Sequence, residues 1–359
     1  MIWGIDFPAI KINADKYFIP ASNTKLFTAY LALETLGDNY LFKSEYSLKN
    51  NKLMIKTMGN PLITENDIIL LISKLKEEIK EIIVDNKFLY PTPRPHGWCI
   101  DDIGSSYAPP VSEINYEMNR INVKKDKMFP ENTYFEIKKY NGPSHVKGKK
   151  IFLNKKDKEL SFSTNYPFKF FINSIIAHMR NKELLTKDPK IKILRLKKLD
   201  NTFAEHNISE LLKIMNKNSE NMLAEMLLLY SGMYKGQVGL SKSLIYSHKL
   251  FKSKNINEVS LYDGSGLSHY NLVSPRSVTR LLKIAHENKI FKNSLSIGSV
   301  DGTLKNRLNP RIIGKTGTLR NVQNLSGYFD DLPFSIMLNG EPDEKLAKNA
   351  IDDFLKSYL

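Results

Sequence analysis

Three short segments of this 359-residue chain carry side chains that can make and break an acyl bond. The first is Pro20-Ala21-Ser22-Asn23-Thr24-Lys25. A serine at the N-terminal end of a helix sits in the positive field of the free backbone N–H groups. A lysine three residues on projects from the same face, so Ser22 and Lys25 can meet. Serine is a poor nucleophile until a base takes its proton. A lysine held among other cations can lose its own proton near neutral pH and become that base. The second segment is Ser219-Glu220-Asn221, in which Ser219 can shuttle a proton and Asn221 can donate to an amide carbonyl. The third is Lys315-Thr316-Gly317-Thr318, expected at the end of a strand, where glycine allows a ligand close to the backbone.

None of the three is decisive alone. Ser-x-x-Lys recurs at Ser73–Lys76 and Ser144–Lys147, and Ser-x-Asn at Ser163–Asn165 and Ser253–Asn255. By itself Ser219 reads equally well as a helix cap. Lys-Thr-Gly occurs once. In this order the three form the trio shared by class A β-lactamases and penicillin-binding proteins. The middle motif carries Glu220 where that pattern has Asp, which keeps the charge and spares Ser219 and Asn221.

The elements that must position these groups follow from periodicity. Leu26, Ala29, Tyr30 and Leu33 recur at helical spacing, predicting a helix over 22–36 with Gly37 as its cap. Strands are expected within 44–57, with a turn at Asn50-Asn51, then an amphipathic helix over 66–81 and a buried strand over 81–85. Five prolines make 91–110 an ordered loop. The lysine-rich stretch 121–160 holds short strands, such as 133–137, and 167–183 is helical. A charged connector over 187–200 is a plausible boundary. Helices dominate from Asn207, and Ser274-Pro275 is a strong helix start. Strands are expected at 311–314, 325–329 and 334–338, the last two joined by a turn at Asp330-Asp331, and a helix over 344–359. The expected organisation is a discontinuous α/β domain from 1–43 and 200–359, with 44–199 inserted into it.

Longer stretches carry a family resemblance. Residues 20–25, Asn216-Lys217-Asn218-Ser219-Glu220-Asn221-Met222-Leu223-Ala224-Glu225, Asp263-Gly264-Ser265-Gly266-Leu267-Ser268, Ser274-Pro275-Arg276, and Asp301-Gly302-Thr303-Leu304 with Arg307 resemble the D-alanyl-D-alanine carboxypeptidase/endopeptidases among the low-molecular-mass class C penicillin-binding proteins. In the insertion, Gly59-Asn60-Pro61-Leu62, Trp98, Asp101-Asp102 and Tyr107-Ala108-Pro109 resemble the same family. The resemblance implies an α+β fold of the β-lactamase/transpeptidase type, an antiparallel sheet flanked by helices, with inserted α/β and β-rich lobes. It implies acyl transfer on peptidoglycan stem peptides, with Ser22 as nucleophile, Lys25 as base and Ser219 as proton relay. Asn221, Lys315, Thr316, Gly317 and Thr318 would bind substrate, with Asp102 as an acidic residue of the loop near the site. No metal or organic cofactor is implied, and β-lactams would be inhibitors. The turn Asp263–Ser268 itself reads first as a backbone device, since Gly and Ser dominate turns.

A class A β-lactamase shares the trio, but Ser22 and Ser219 lie 197 residues apart, which leaves room for an inserted domain. The Glu-x-x-x-Asn arrangement is also absent between Ser219 and Lys315, since Glu220, Glu225, Glu258 and Glu287 all lack Asn four residues on. The net charge of +15 is spread over dispersed lysines with no compact basic motif interleaved with aromatics, which argues against nucleic acid. It suits peripheral contact with an anionic wall or lipid surface. One cysteine, Cys99, allows no intrachain disulfide. No apolar run approaches the roughly 20 residues that cross a bilayer. The substrate implies the periplasm or cell envelope, yet the N-terminus has no signal peptide, and 21 residues precede Ser22. A complete strand and helix are expected ahead of that serine, so the reading expects a native start upstream and a less stable 359-residue form. A truncated, catalytically impaired wall-binding relic is the alternative.

Overall fold

The computed structural model describes residues 1–86, 91–130, 132 and 134–358. Thr133, in the stretch expected as a strand, and Leu359, the end of the expected last helix, lie outside the described residues. The chain forms two compact units. The first is Met1–Tyr40, Pro95–Cys99 and Ile208–Leu359; the second is Leu41–Arg94 and Ile100–Asn207.

The first unit is built on six strands: β1 (Ile2–Phe7), β2 (Ile10–Ile12), β3 (Ser296–Ile297), β4 (Ile312–Leu319), β5 (Val322–Phe329) and β6 (Leu332–Asn339). Their order is β3-β4-β5-β6-β1-β2, and every neighbouring pair is antiparallel. The β5–β6 hairpin turns at Asp330 and Asp331, with φ of 45° and 67°, the paired left-handed conformation that matches strand twist in a two-residue turn. β4 is longer than expected, so the Lys-Thr-Gly motif lies inside the strand rather than at its end; Lys315 to Thr318 pair with Ser326 to Gln323 of β5.

The residues ahead of Ser22 correct the expectation that they were too few for a complete strand. β1 pairs with β6 from Ile2↔Asn339 to Asp6↔Ser335 and carries β2 on its other side. The signal was hidden by Gly4, which interrupts the alternation. A Cβ there would lie 2.4 Å from the Phe18 ring, so the position admits only glycine without rearrangement.

Strand alternation then assigns the two sheet faces. Ile5, Phe7, Leu325, Phe329, Phe334, Ile336 and Leu338 point to one side, where they form a core with Ala347, Ile351 and Leu355 of the last helix, Glu344–Lys356. Ser326, Tyr328 and Ser335 point to the other. There Tyr328 donates its hydroxyl to the Leu282 carbonyl at 2.8 Å, on the helix Pro275–Ala285. That helix starts as expected, with Pro275 at its first position and Ser274 accepting the Ser277 N–H at 3.0 Å. On this second side lie α1 (Thr24–Leu36) and, beside it, α2 (Asn221–Tyr234), both buried almost all round. A helix buried on every face has little room for polar groups, so the Lys25 at the start of α1 requires a specific set of partners.

The second unit has its own core, including Leu53, Ile55, Ile82, Val84, Ile121, Phe170 and Phe171. Its main sheet runs Lys190–Ile193, Glu81–Asp85, Lys52–Lys56, Leu41–Lys49, Asn201–Asn207, with the first two pairings parallel. The lysine-rich stretch contributes to two three-stranded sheets. The helix expected over 66–81 is shorter, Glu65–Ser73, opened by a Thr64–Asp67 capping box. Its continuation is drawn off by tertiary hydrogen bonds: Ile79 donates to the Leu184 carbonyl and Lys80 to that of Asn51, each at 2.9 Å. Among the described residues no helix is long and apolar enough to cross a membrane.

One ion pair ties the approach to β4 onto the last helix. Arg307 Nε and Nη2 donate to the two Asp352 oxygens at 3.0 and 2.6 Å, with side chains only 10% and 11% exposed. Breaking one half of such a pair strands a buried charge. Arg307→Met is expected to lower unfolding free energy by about 3 kcal/mol, and Arg307→Met with Asp352→Leu to recover most of it. Urea melts of both variants check this; an equal loss in the double variant would contradict it.

Candidate active site

Ser22 lies in a single 3-10 turn, Ala21–Asn23, that runs directly into α1. Ala21 is fully buried with φ of 46°, a left-handed conformation unusual outside glycine, and it lifts Ser22 out of the helical path. Two glycines make room for this turn. A Cβ on Gly266 would sit 1.8 Å from the Ala21 carbonyl oxygen, and one on Gly317 would sit 2.5 Å from that of Pro20. The first brings the Asp263–Ser268 turn, and the second brings β4, against the serine.

Lys25 is fully buried one helical turn from Ser22. Its Nζ lies 3.0 Å from Ser22 Oγ, 2.6 Å from Asn221 Oδ1 and 2.7 Å from the Ser265 carbonyl oxygen. Asn221 opens α2, and Ser219 just before it has φ of 61°. Lys315, also fully buried, donates to Ser219 Oγ at 3.0 Å and to the Thr316 carbonyl at 2.8 Å. Thr316 donates its hydroxyl to Thr303 Oγ1 at 2.9 Å, and Thr318 donates its own to Gln323 Oε1 at 3.0 Å. The three motifs, far apart in sequence, thus meet in the first unit. Asp102 belongs to the second unit, on the turn Ile100–Asp102, where its Oδ1 accepts the Tyr107 hydroxyl at 2.7 Å.

β3 pairs with β4 only at Ile313 and Gly314. Beyond Gly314, no strand among the described residues pairs with that side of β4. An extended peptide could add there as a further strand.

Burial decides the charges of the two lysines. Desolvation lowers Lys25 from 10.5 to about 8, against the opposing pull of Asp263, Glu225 and Glu220. Lys315 is held well below its ordinary value by burial and then by the Lys25 charge. Among the described residues no group of three or more His, Cys, Asp or Glu is placed to hold a metal.

Four contributors went unread in the sequence. Asp263 Oδ1 accepts from Gly266 N–H and Asn271 Nδ2, and its Oδ2 from Ser268 N–H, Trp98 Nε1 and Ser265 Oγ, at 2.7 to 3.2 Å. Its turn is therefore more than a backbone device, since it delivers the Ser265 carbonyl to Lys25. Trp98 is the far end of that network. Glu225, buried on α2, accepts from the Gly264 and Ser265 N–H groups at 2.8 to 3.0 Å. Its spacing of four from Asn221, on one helix face, was the available signal.

A serine and a buried lysine at the head of a central helix, a Ser-x-Asn turn and a Lys-Thr-Gly strand, gathered on an antiparallel sheet flanked by helices, define the penicillin-recognising serine peptidases as a class. The α+β fold expected from the resemblance is the one observed. A profile of the D-Ala-D-Ala carboxypeptidase 3 (S13) family matches residues 6–149 and 154–358, and the chain belongs to that family of hydrolases. It is 26% identical over 384 aligned residues to D-alanyl-D-alanine carboxypeptidase DacB of Haemophilus influenzae, covering 88% of this chain and 78% of the relative. It is 34% identical over 181 residues to a D-alanyl-D-alanine carboxypeptidase of Actinomadura sp. strain R39, covering 44% of this chain and 33% of that relative. In fold it is similar to the crystal structure of penicillin binding protein 4 (dacB) from Haemophilus influenzae, with TM-score 0.77 at 22% identity, over 93% of this chain and 89% of that one. A predatory peptidoglycan endopeptidase from Bdellovibrio bacteriovorus shares the fold with TM-score 0.59 at 16% identity, over 96% and 87% of the two chains.

The Lys25 proton is measurable directly. Below about pH 8 the ammonium dominates and above it the amine, so about a tenth is amine at pH 7. A 13C-lysine NMR titration, assigned with Lys25→Arg, should show this resonance moving at about 8; a midpoint at its ordinary 10.5 would refute the effect of burial.

Proposed function

We propose that this chain is a D-Ala-D-Ala carboxypeptidase/endopeptidase of peptidoglycan stem peptides, working through an acyl-enzyme on Ser22. The observation that carries the reading is the Lys25 amine, buried and 3.0 Å from Ser22 Oγ, with the Lys315–Ser219 pair beside it. Lys25, as the neutral amine, takes the Ser22 proton while Oγ bonds to the carbonyl between the two D-alanines. The backbone N–H groups of Ser22 and Thr318 hold the oxyanion, at about 3 kcal/mol for each donor. The close passage of Gly317 by the serine turn supports that pairing. As the C–N bond breaks, Ser219 passes a proton to the departing amine of the terminal D-alanine. Water then cleaves the ester, restoring Ser22 and releasing the shortened peptide.

Lys315 supplies positive field and orients Ser219. Asn221 fixes Lys25 and the substrate amide, and Thr316 and Thr318 hold the substrate carboxylate along the unpaired side of β4. Asp102 joins the substrate-binding set on the resemblance of its loop alone. The first unit is the catalytic domain and the second an accessory insertion. β-Lactams open on Ser22 in the same way, but their amine stays tethered, so the ester persists. Peptidoglycan as substrate puts the working enzyme in the bacterial cell envelope, in peripheral contact with the wall. The β-lactamase reading gives way to the family match, and the relic reading to the presence of every reacting group.

Fluorescent penicillin is expected to label the wild type and leave Ser22→Ala unlabelled, with one acyl mass on the peptide that contains Ser22. An adduct on Ser73 or Ser144, or none, refutes the assignment.

A further inference from the structure

We propose that Glu225 is a positioning residue for the base: through the Gly264–Ser265 backbone it aims the Ser265 carbonyl at Lys25, and so turns the Lys25 lone pair toward Ser22. The inference rests on the proposed acyl-enzyme reading and deepens it.

A neutral amine has two N–H groups and one lone pair. Around Lys25 Nζ stand three oxygens, and two of them, Asn221 Oδ1 and the Ser265 carbonyl, only accept. At 2.6 and 2.7 Å they take both N–H groups. The third direction, toward Ser22 Oγ at 3.0 Å, is left for the lone pair, which can then receive the serine proton. With only one carbonyl acceptor the amine could turn an N–H toward Ser22 instead and would no longer be placed as a base. Two acceptors are therefore the least that define the direction of proton transfer.

Asn221 is a side chain held at the start of α2. The Ser265 carbonyl belongs to a turn and needs its own support. Glu225, one turn along α2 from Asn221, provides it. Oε1 accepts from Gly264 and Ser265 N–H at 3.0 and 2.8 Å, and Oε2 from Gly264 N–H at 2.9 Å. One helix thus presents both the direct partner of Lys25 and the clamp on its second partner. The nucleophile helix grips the same turn from the other side, since Thr28 Oγ1 donates to the Gly264 carbonyl at 2.6 Å. Burial and neighbouring Asp263 raise Glu225 to about 8. The charged groups that bear on Lys25 are Asp263 on the turn, Glu225 and Glu220 at α2, and Lys315 on β4.

The test uses the full chain, with Glu225→Gln, Glu225→Asp and Thr28→Val beside the wild type. The rate of penicillin acylation at Ser22 is followed across pH, and kcat and KM are measured on a D-Ala-D-Ala peptide. Glu225→Gln should slow acylation by about tenfold to a hundredfold, with KM within about twofold of wild type. Its alkaline-rising limb should also move to lower pH, because one carboxylate that favours the Lys25 ammonium is gone. Glu225→Asp keeps the charge but is too short to reach both N–H groups, so its rate falls while the limb stays. Thr28→Val should give a smaller loss of kcat with the limb unmoved. Wild-type acylation rates in folded Glu225→Gln, or a loss confined to KM, would overturn the proposal. If Glu225→Gln fails to fold by circular dichroism, a wild-type rate in Thr28→Val overturns it instead. Absence of Ser22 acylation in the wild type would overturn the functional reading itself, whereas equal rates in wild type and folded variants overturn only the role of Glu225.

Discussion

The interaction on which the site depends is the burial of one amine. Lys25 sits at the head of a helix with no open face, and lowering it from 10.5 to about 8 corresponds to roughly 3 kcal/mol against its charged form. A single hydrogen bond contributes about 1 kcal/mol net, too little to compensate. The lysine therefore needs several partners at once, and the three oxygens around it come from three separate pieces of chain: the serine turn, the start of α2 and the Asp263–Ser268 turn. The carboxylates of Asp263, Glu225 and Glu220 limit the cost of the ammonium that forms during turnover. Without them a fully buried lysine would stay neutral and could not hold a proton between steps.

Bringing three segments onto one nitrogen requires the backbones to approach more closely than side chains permit. Gly266 and Gly317 are the places where this is met, since a methyl group at either would overlap a carbonyl of the serine turn. The same crowding accounts for left-handed φ at Ala21 and Ser219, each directly beside a reacting group. Such conformations cost about 1 to 3 kcal/mol and persist where the surroundings over-determine them. Here the surroundings are a sheet on one side and two buried helices on the other.

The sheet contributes a second constraint, a strand with one open side. β5 covers β4 along its whole length, while β3 covers only Ile313 and Gly314. The Lys-Thr-Gly residues are thereby held rigid from behind and left accessible in front. An open strand edge is ordinarily an aggregation hazard; here it coincides with the residues that face the serine, which is where a peptide substrate has to lie.

The chemistry was legible in residue types at short spacing. Ser22 and Lys25 share a helix face because three residues make nearly one turn, and the Ser274-Pro275 start and the Gly37 cap follow from local backbone preferences. The strand β1 and the short helix Glu65–Ser73 were not legible, because Gly4 answers to Phe18 and the helix end answers to Leu184 and Asn51, all partners distant in sequence or of another element. The same holds for the site. The sequence alone determined which groups react, since a nucleophile, a base and a relay are defined by their side chains and the family's order. Only the tertiary structure decided how the base is poised. Asp263, Ser265 and Glu225 act through backbone N–H and C=O groups, which every residue carries alike, so their part depends on where the chain is brought in space.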